Sequence, residues 1–278
     1  IRDYYASRGL GDVYKRQLKD NTIRLNAIQA GIDGWVELKD PAIDMDLKLN
    51  TNDVGFKEIL SLIPAIATSC NGYFCWGLYY MIGARQKYGS VQKAMNTWRD
   101  YMVSMGFGYQ LGIDLPGEKR GMIPNAQYYD KAYRRSWNGL TIISISIGQG
   151  EVTATPLQIA NLGATIANRG YFVTPHVVKE IEGESIDSIY TTRRYTKVDK
   201  GHYEEVVQGM RSAVLGGTCR TANIPELEIC GKTGTAQNHG KDHSAFMGFA
   251  PMNNPKIAIA VYVENGGWGA TYGAVSYT

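Results

Sequence analysis

The alternation of apolar and polar positions divides the chain into a helix-rich first part and a strand-rich end. Residues 18–58 mix acidic, amide and apolar side chains around Pro41 with no clean period, so irregular structure with short elements is expected there. From 62 to 87 the residues are largely apolar or aromatic (LIPAIATSCNGYFCWGLYYMIGARQK), which fits a buried helix entered after a turn near Ser69. A second helix is expected over 91–105, stopped by Gly106. The segment 106–124, GFGYQLGIDLPGEKRGMIP, is too rich in glycine and proline for either period and must be a long surface connection. Loops of that length are often functional.

Thr155, Pro156 and Gln158 combine an N-cap, a proline at the first helical position and a capping-box glutamine, so a helix should start there and run to about residue 168, with Gly170 as its stop. Residues 171–181 and 188–198 are rich in β-branched and aromatic types and predict a satellite hairpin. Tyr203, Val206, Val207, Met210 and Val214 then recur at helical spacing, ahead of Gly216 and Gly217. Three short apolar segments follow, at 227–235, 244–250 and 256–263, separated by turn residues, which is the pattern of consecutive antiparallel strands. Helices followed by a strand meander give an α+β fold.

Composition narrows the function. Hydrophobic residues make up 44% of the 278 and charged residues 20%, far from the signature of disorder. The 29 basic and 26 acidic side chains leave a net charge of +3 and are scattered, so nucleic acid is not an expected partner. No apolar run reaches the roughly 18 residues that cross a bilayer, so any anchoring helix is expected outside these residues. Cys70, Cys75, Cys219 and Cys230 form no C-x-x-C, and the four histidines form no H-E-x-x-H; neither a metal nor a cofactor is expected. The cysteines are read as small buried hydrophobes. His239 and His243 are read as solvated loop residues.

Three local patterns carry chemistry: Ser69-Cys70-Asn71, Lys232-Thr233-Gly234-Thr235, and the segment GQGEVTATPLQIA that begins at Gly148. S-x-N alone is close to worthless, since an isolated Ser69 serves as well for helix capping. K-T-G is more informative, because a lysine and small hydroxyls beside a glycine form a surface that a carboxylate can approach closely. Together with S-x-x-K, such patterns mark penicillin-binding proteins and related β-lactamases. With their surroundings (AIATSCNGYF, GFGYQLGIDLPGE, SIGQGEVTATPLQIA, ICGKTGTAQN, HSAFMGFAP and VENGGWGATYGA) they make the chain resemble the transpeptidase domain of class B penicillin-binding proteins, most like the elongation-type penicillin-binding protein 2. The resemblance runs over about 62–274.

That resemblance implies the fold shared with serine β-lactamases: a five-stranded antiparallel sheet flanked by helices, with a groove between the sheet edge and a helical part. It implies acyl transfer from the D-Ala-D-Ala end of peptidoglycan stem peptides, inhibition by β-lactams, and work beside a membrane glycan polymerase on the outer, periplasmic side of the cytoplasmic membrane. It implies that Ser69 and Lys232 relay a proton, that Asn71 binds the substrate amide, and that Thr233, Gly234 and Thr235 form the carboxylate site, with the Thr235 N–H as half of an oxyanion hole.

The family's nucleophilic serine belongs to an S-x-x-K placed before S-x-N. The only S-x-x-K in the chain is Ser90-Val91-Gln92-Lys93, which follows Ser69 and is explained by Ser90 capping a helix. The nucleophile is therefore expected to be absent from these residues and the chain alone to be inactive. Residues 1–17 and 275–278 resemble no family text and are expected to be non-native, flanking a partial transpeptidase domain over 18–274. A catalytically dead binding module is the alternative; a serine β-lactamase fits less well, since no convincing E-x-x-x-N segment is present.

Overall fold

The computed structural model describes residues 23–26, 35–38, 61–237, 239–270 and 272–274. The two end segments expected to be non-native, 1–17 and 275–278, lie outside the described residues, as does most of 18–58. Within that stretch two short strands, β1 (Ile23–Asn26) and β2 (Trp35–Leu38), pair antiparallel.

The apolar run at 62–87 forms three helices rather than one: α1 (Leu62–Ala67), α2 (Asn71–Gly83) and α3 (Arg85–Tyr88). α1 ends in a Schellman motif, with the Ser69 N–H bonded to Ile66 O and the Cys70 N–H to Ala65 O. α4 (Val91–Ser104) follows, with Ser90 as its N-cap accepting from Lys93 N, so the lone S-x-x-K is a cap. α5 (Ala126–Ala132) is capped by Asn125. Leu78, Ile82, Met95, Tyr129, Trp137 and Ile142 meet in the core of this helical part.

The 106–124 connection is tied down by its own side chains. The Glu118 carboxylate accepts from Leu111 N and Gly112 N, and the fully buried Gln158 amide donates to Tyr109 O and Arg120 O. Gln158 does this while completing the capping box that starts α6 (Pro156–Ala167) with Thr155.

The satellite hairpin is present but short: β3 (Tyr171–Val173) pairs with β4 (Arg193–Tyr195). The predicted strand to 181 stops at Val173, just ahead of Pro175, which has no N–H for a ladder, and beyond it the Asp114 carboxylate takes the Val177 and Val178 N–H groups. Those bonds hold the Asp114 pKa below the usual carboxylate range.

α7 (Gly201–Leu215) leads into the meander β5 (Cys230–Ala236), β6 (His243–Ala250) and β7 (Ile257–Val263), antiparallel in the order β5-β6-β7. α6 packs on β6 and β7, and α7 on β5 and α1. Ile66, Ile166, Val207, Met210 and Phe249 fill the interface of α1, α6, α7 and sheet. Among the described residues this sheet has three strands, not the five of the family arrangement, and β5 is an edge. His243 corrects its reading as a solvated loop residue: it opens β6, and its Nδ1 accepts from Asn265 N at 3.0 Å, bracing the strand end.

Candidate active site

The site forms where the turn after α1 meets the exposed edge of β5. At that turn Ser69 adopts φ +57°, the left-handed position that ends a Schellman motif and is ordinarily glycine. A non-glycine residue there costs about 1–2 kcal/mol, and strain of this kind gathers at functional sites. The cap position of α2 belongs to Cys70, not Ser69. The Ser69 hydroxyl instead accepts a hydrogen bond from Lys232 Nζ at 2.8 Å, across 163 residues of sequence.

Lys232 also donates to Thr233 O at 2.8 Å, and among the described residues no carboxylate pairs with it. Its surroundings are largely desolvated. That burial pushes the ammonium pKa down, and the neighbouring Cys219 thiol offsets the shift only in part. A lysine so placed gives up a proton more readily than one in water, and a hydroxyl lies within its reach. That pairing is the arrangement proton transfer needs.

The residues after Lys232 present the strand edge. Thr235 O accepts from Gln149 Nε2 at 2.9 Å. In an antiparallel strand a residue's N–H and C=O point to the same side, so the Thr235 N–H lies on the side of β5 that Gln149 reaches. Gly234 is exposed, and a Cβ there would meet only Ala245 Cβ at an ordinary 3.5 Å. The packing of the chain itself therefore does not demand glycine at this position. Asn71, the first residue of α2, is exposed and has no side-chain partner among the described residues.

The structure thus brings Ser69 and Lys232 into direct contact and sets Thr233, Gly234 and Thr235 beside them. Three further groups shape the site. Gln149, from the segment that joins the helical part to α6, reaches the β5 edge. Thr218 accepts from Thr233 Oγ1 at 3.1 Å. The loop after β7 crosses the sheet, with Gly269 N donating to Thr235 Oγ1 at 3.2 Å, Ser244 Oγ to Trp268 O at 3.1 Å, and the Trp268 ring left 78% exposed. Sequence reasoning named Gln149 only as part of a quoted segment and missed Thr218, because the glycines before it registered as a helix stop and nothing more.

The strain at Ser69 gives a stability prediction. Ser69→Gly and Ser69→Ala both remove the hydroxyl and keep the left-handed turn, but only alanine is strained by it. The glycine variant is expected to be the more stable by about 1 kcal/mol, measured by denaturant unfolding. That is the reverse of the order in a helix interior; equal stabilities would mean the turn relaxes out of this conformation.

Cys70, Cys75, Cys219 and Cys230 are all buried free thiols, as their reading as small hydrophobes expects. No helix among the described residues is long and apolar enough to cross a membrane.

Comparison with known proteins places this geometry. The family model described as the penicillin binding protein transpeptidase domain matches residues 27–277. The chain is 37% identical over 235 residues to the peptidoglycan D,D-transpeptidase MrdA of Acinetobacter baumannii, covering 77% of this chain and 33% of that protein. It is 31% identical over 235 residues to the MrdA of Haemophilus influenzae, covering 77% and 34%. Among solved structures, Pseudomonas aeruginosa PBP2 in complex with WCK 5153 superposes with a TM-score of 0.63 at 34% identity, covering 76% of this chain and 44% of that one. The PBP2 of a PBP2–MreC complex from Helicobacter pylori gives 0.62 at 28%, covering 78% and 38%. The chain spans about a third of the length of the curated relatives it matches. The paired Ser69 and Lys232, the K-T-G strand edge and these matches lead to one conclusion: the chain belongs to the transpeptidase family of class B penicillin-binding proteins, close to the elongation-type PBP2 homologues.

Proposed function

We propose that this chain forms the substrate-binding and proton-relay side of a peptidoglycan D,D-transpeptidase that acts in cell-wall elongation. The observation that carries the reading is the 2.8 Å contact of a desolvated lysine with the Ser69 hydroxyl. In the reaction, a serine hydroxyl attacks the penultimate D-alanine carbonyl of a stem peptide and loses its proton to a base. The C–N bond to the terminal D-alanine breaks, and that amine leaves after taking up a proton. An amine from a second stem peptide then displaces the enzyme's serine from the acyl group.

Ser69 and Lys232 deliver the proton to the leaving amine, since they are the connected hydroxyl and amine at the groove. Asn71, exposed at the start of α2, binds the substrate amide. Thr233 and Thr235 hold the terminal carboxylate, and the space above Gly234 lets it come close. The Thr235 N–H supplies half of the oxyanion hole, a donor whose loss ordinarily costs about 100- to 1000-fold in rate. The nucleophilic serine is assigned to an S-x-x-K segment not found in these residues. β-Lactams, as mimics of the D-Ala-D-Ala end, occupy the same place. The setting is the outer face of the cytoplasmic membrane, with a membrane glycan polymerase as partner.

The test is covalent labelling of the full-length protein with a fluorescent penicillin. Label that survives denaturation and is competed by unlabelled penicillin is the expected result. A folded full-length protein that takes no label, yet binds N-acetyl-D-alanyl-D-alanine reversibly, would instead be a binding module without the acyl-transfer step.

A further inference from the structure

Thr218 lies in neither motif, yet it touches both sides of the site. Its backbone N–H donates to Ala67 O at 3.0 Å, and Ala67 is the last residue of α1, two before Ser69. Its Oγ1 accepts from Thr233 Oγ1 at 3.1 Å, and Thr233 is the neighbour of Lys232 on β5. Lys232 closes the ring through Ser69 Oγ at 2.8 Å. A cycle of contacts therefore runs from the Ser69 turn through Ala67, Thr218, Thr233 and Lys232 back to Ser69. The approach is tight, because a Cβ on the preceding Gly217 would fall on the Ala67 carbonyl.

From this geometry we infer that Thr218 is a positioning residue: it fixes the rotamer of Thr233 for carboxylate recognition while holding β5 in register with the Ser69 turn. The inference rests on the reading of Thr233 as a carboxylate ligand. A carboxylate accepts and never donates, so Thr233 must offer it the hydroxyl proton. Without ligand that proton goes to Thr218 Oγ1. When a carboxylate arrives, the direction of the bond reverses: Thr218 O–H donates to Thr233 Oγ1, and the Thr233 proton turns to the ligand. The oxygen–oxygen contact persists in both states, so Thr233 needs no new rotamer. Freezing one hydroxyl ahead of binding removes an ordering cost that the ligand would otherwise bear. The Thr218 proton is available for this, since among the described residues the other side-chain hydrogen-bond partner of its hydroxyl is the Cys219 thiol at a long 4.0 Å.

The test measures binding of two probes to the full chain by NMR titration: N-acetyl-D-alanyl-D-alanine, and the same dipeptide with its C-terminus as the primary amide. Thr218→Val keeps the backbone bond to Ala67 and the side-chain shape but removes the hydroxyl. It is expected to weaken the carboxylate probe by up to about tenfold, the cost of ordering one side chain on binding, and to leave the amide probe unchanged. Thr218→Ser is expected to restore the carboxylate affinity to within about twofold. Thr218→Ala, which opens space instead of setting a methyl against Thr233, provides the same comparison should the valine variant fold poorly. Equal weakening of both probes would reveal a merely structural residue, and unchanged binding of both would leave Thr218 with no part in recognition; either overturns the inference. A wild-type chain that does not prefer carboxylate to amide would overturn the carboxylate reading of Thr233 itself, and the role of Thr218 with it.

Discussion

Gly217→Ala is expected to lower the stability of the chain by about 3 kcal/mol, at the top of the range for overpacking. In a domain of this size each kcal/mol moves the thermal midpoint by roughly 2–4 °C, so a scan resolves the loss easily. The new Cβ would land on the Ala67 carbonyl and lie 2.8 Å from Ala213 Cα and 2.9 Å from Ala67 C. All of these are backbone atoms, and no side-chain rotation relieves them. The relief that remains is to push α1 away from the end of α7, which also moves the Ser69 turn off Lys232. Gly77→Ala is the internal control. Gly77 is an exposed residue inside α2 with nothing within 4 Å of the added atom, so alanine there is expected to stabilise by about 0.5–1 kcal/mol through helix propensity. One chemical change thus has opposite signs at two sites. A loss at Gly217 no larger than about 0.5 kcal/mol, the scatter of ordinary surface changes, would show that the junction yields and would remove the argument for a rigid clamp on the Ser69 turn.

What was legible in the sequence is what short-range chemistry dictates. Thr155, Pro156 and Gln158 define a helix start within four residues, and the structure has the full capping box. Ser90 was recognisable as a cap for the same reason, and its bond to Lys93 N removes the need to assign it chemistry. The three strands of the meander follow from apolar runs cut by turn residues, and their bounds moved by three residues at most. The break at 68–70 was less visible: a turn near Ser69 was expected, but a separate α1 was not, because a serine occupies the left-handed position where glycine would have signalled a stop. The hairpin is predicted too long: β3 stops ahead of Pro175, and the Val177 and Val178 N–H groups beyond it go to Asp114, more than sixty residues away. Periodicity contains no information about such a bond. The same limit applies to the site. Ser69 and Lys232 were paired in advance only through resemblance to a family, since nothing local to either residue points across 163 positions to the other. Thr218 and Gln149 act through the strand edge, and their roles become visible only when the sheet and the helical part stand side by side.

The contact of Ser69 with Lys232 makes a quantitative demand on kinetics. In the full-length protein, Lys232→Met keeps the length and apolar volume of the side chain and removes the amine. It is expected to lower the second-order rate constant for acylation by a fluorescent penicillin by about 10²- to 10⁴-fold, the usual contribution of a positioned proton-transfer group. Ser69→Ala breaks the same relay at its other member and should cost a similar factor. The informative variant carries both changes. Groups that act as one unit are strongly non-additive, because once either is gone the other has nothing left to do. The double variant is therefore expected to be about as slow as the slower single variant, not slower by the product of the two factors. The 2.8 Å hydrogen bond makes this the natural outcome, since without Ser69 the Lys232 amine keeps only its bond to Thr233 O, a backbone acceptor that passes no proton on. Multiplied losses would mean that Ser69 and Lys232 serve separate steps, and the proton relay would have to be withdrawn even with the fold and the family unchanged.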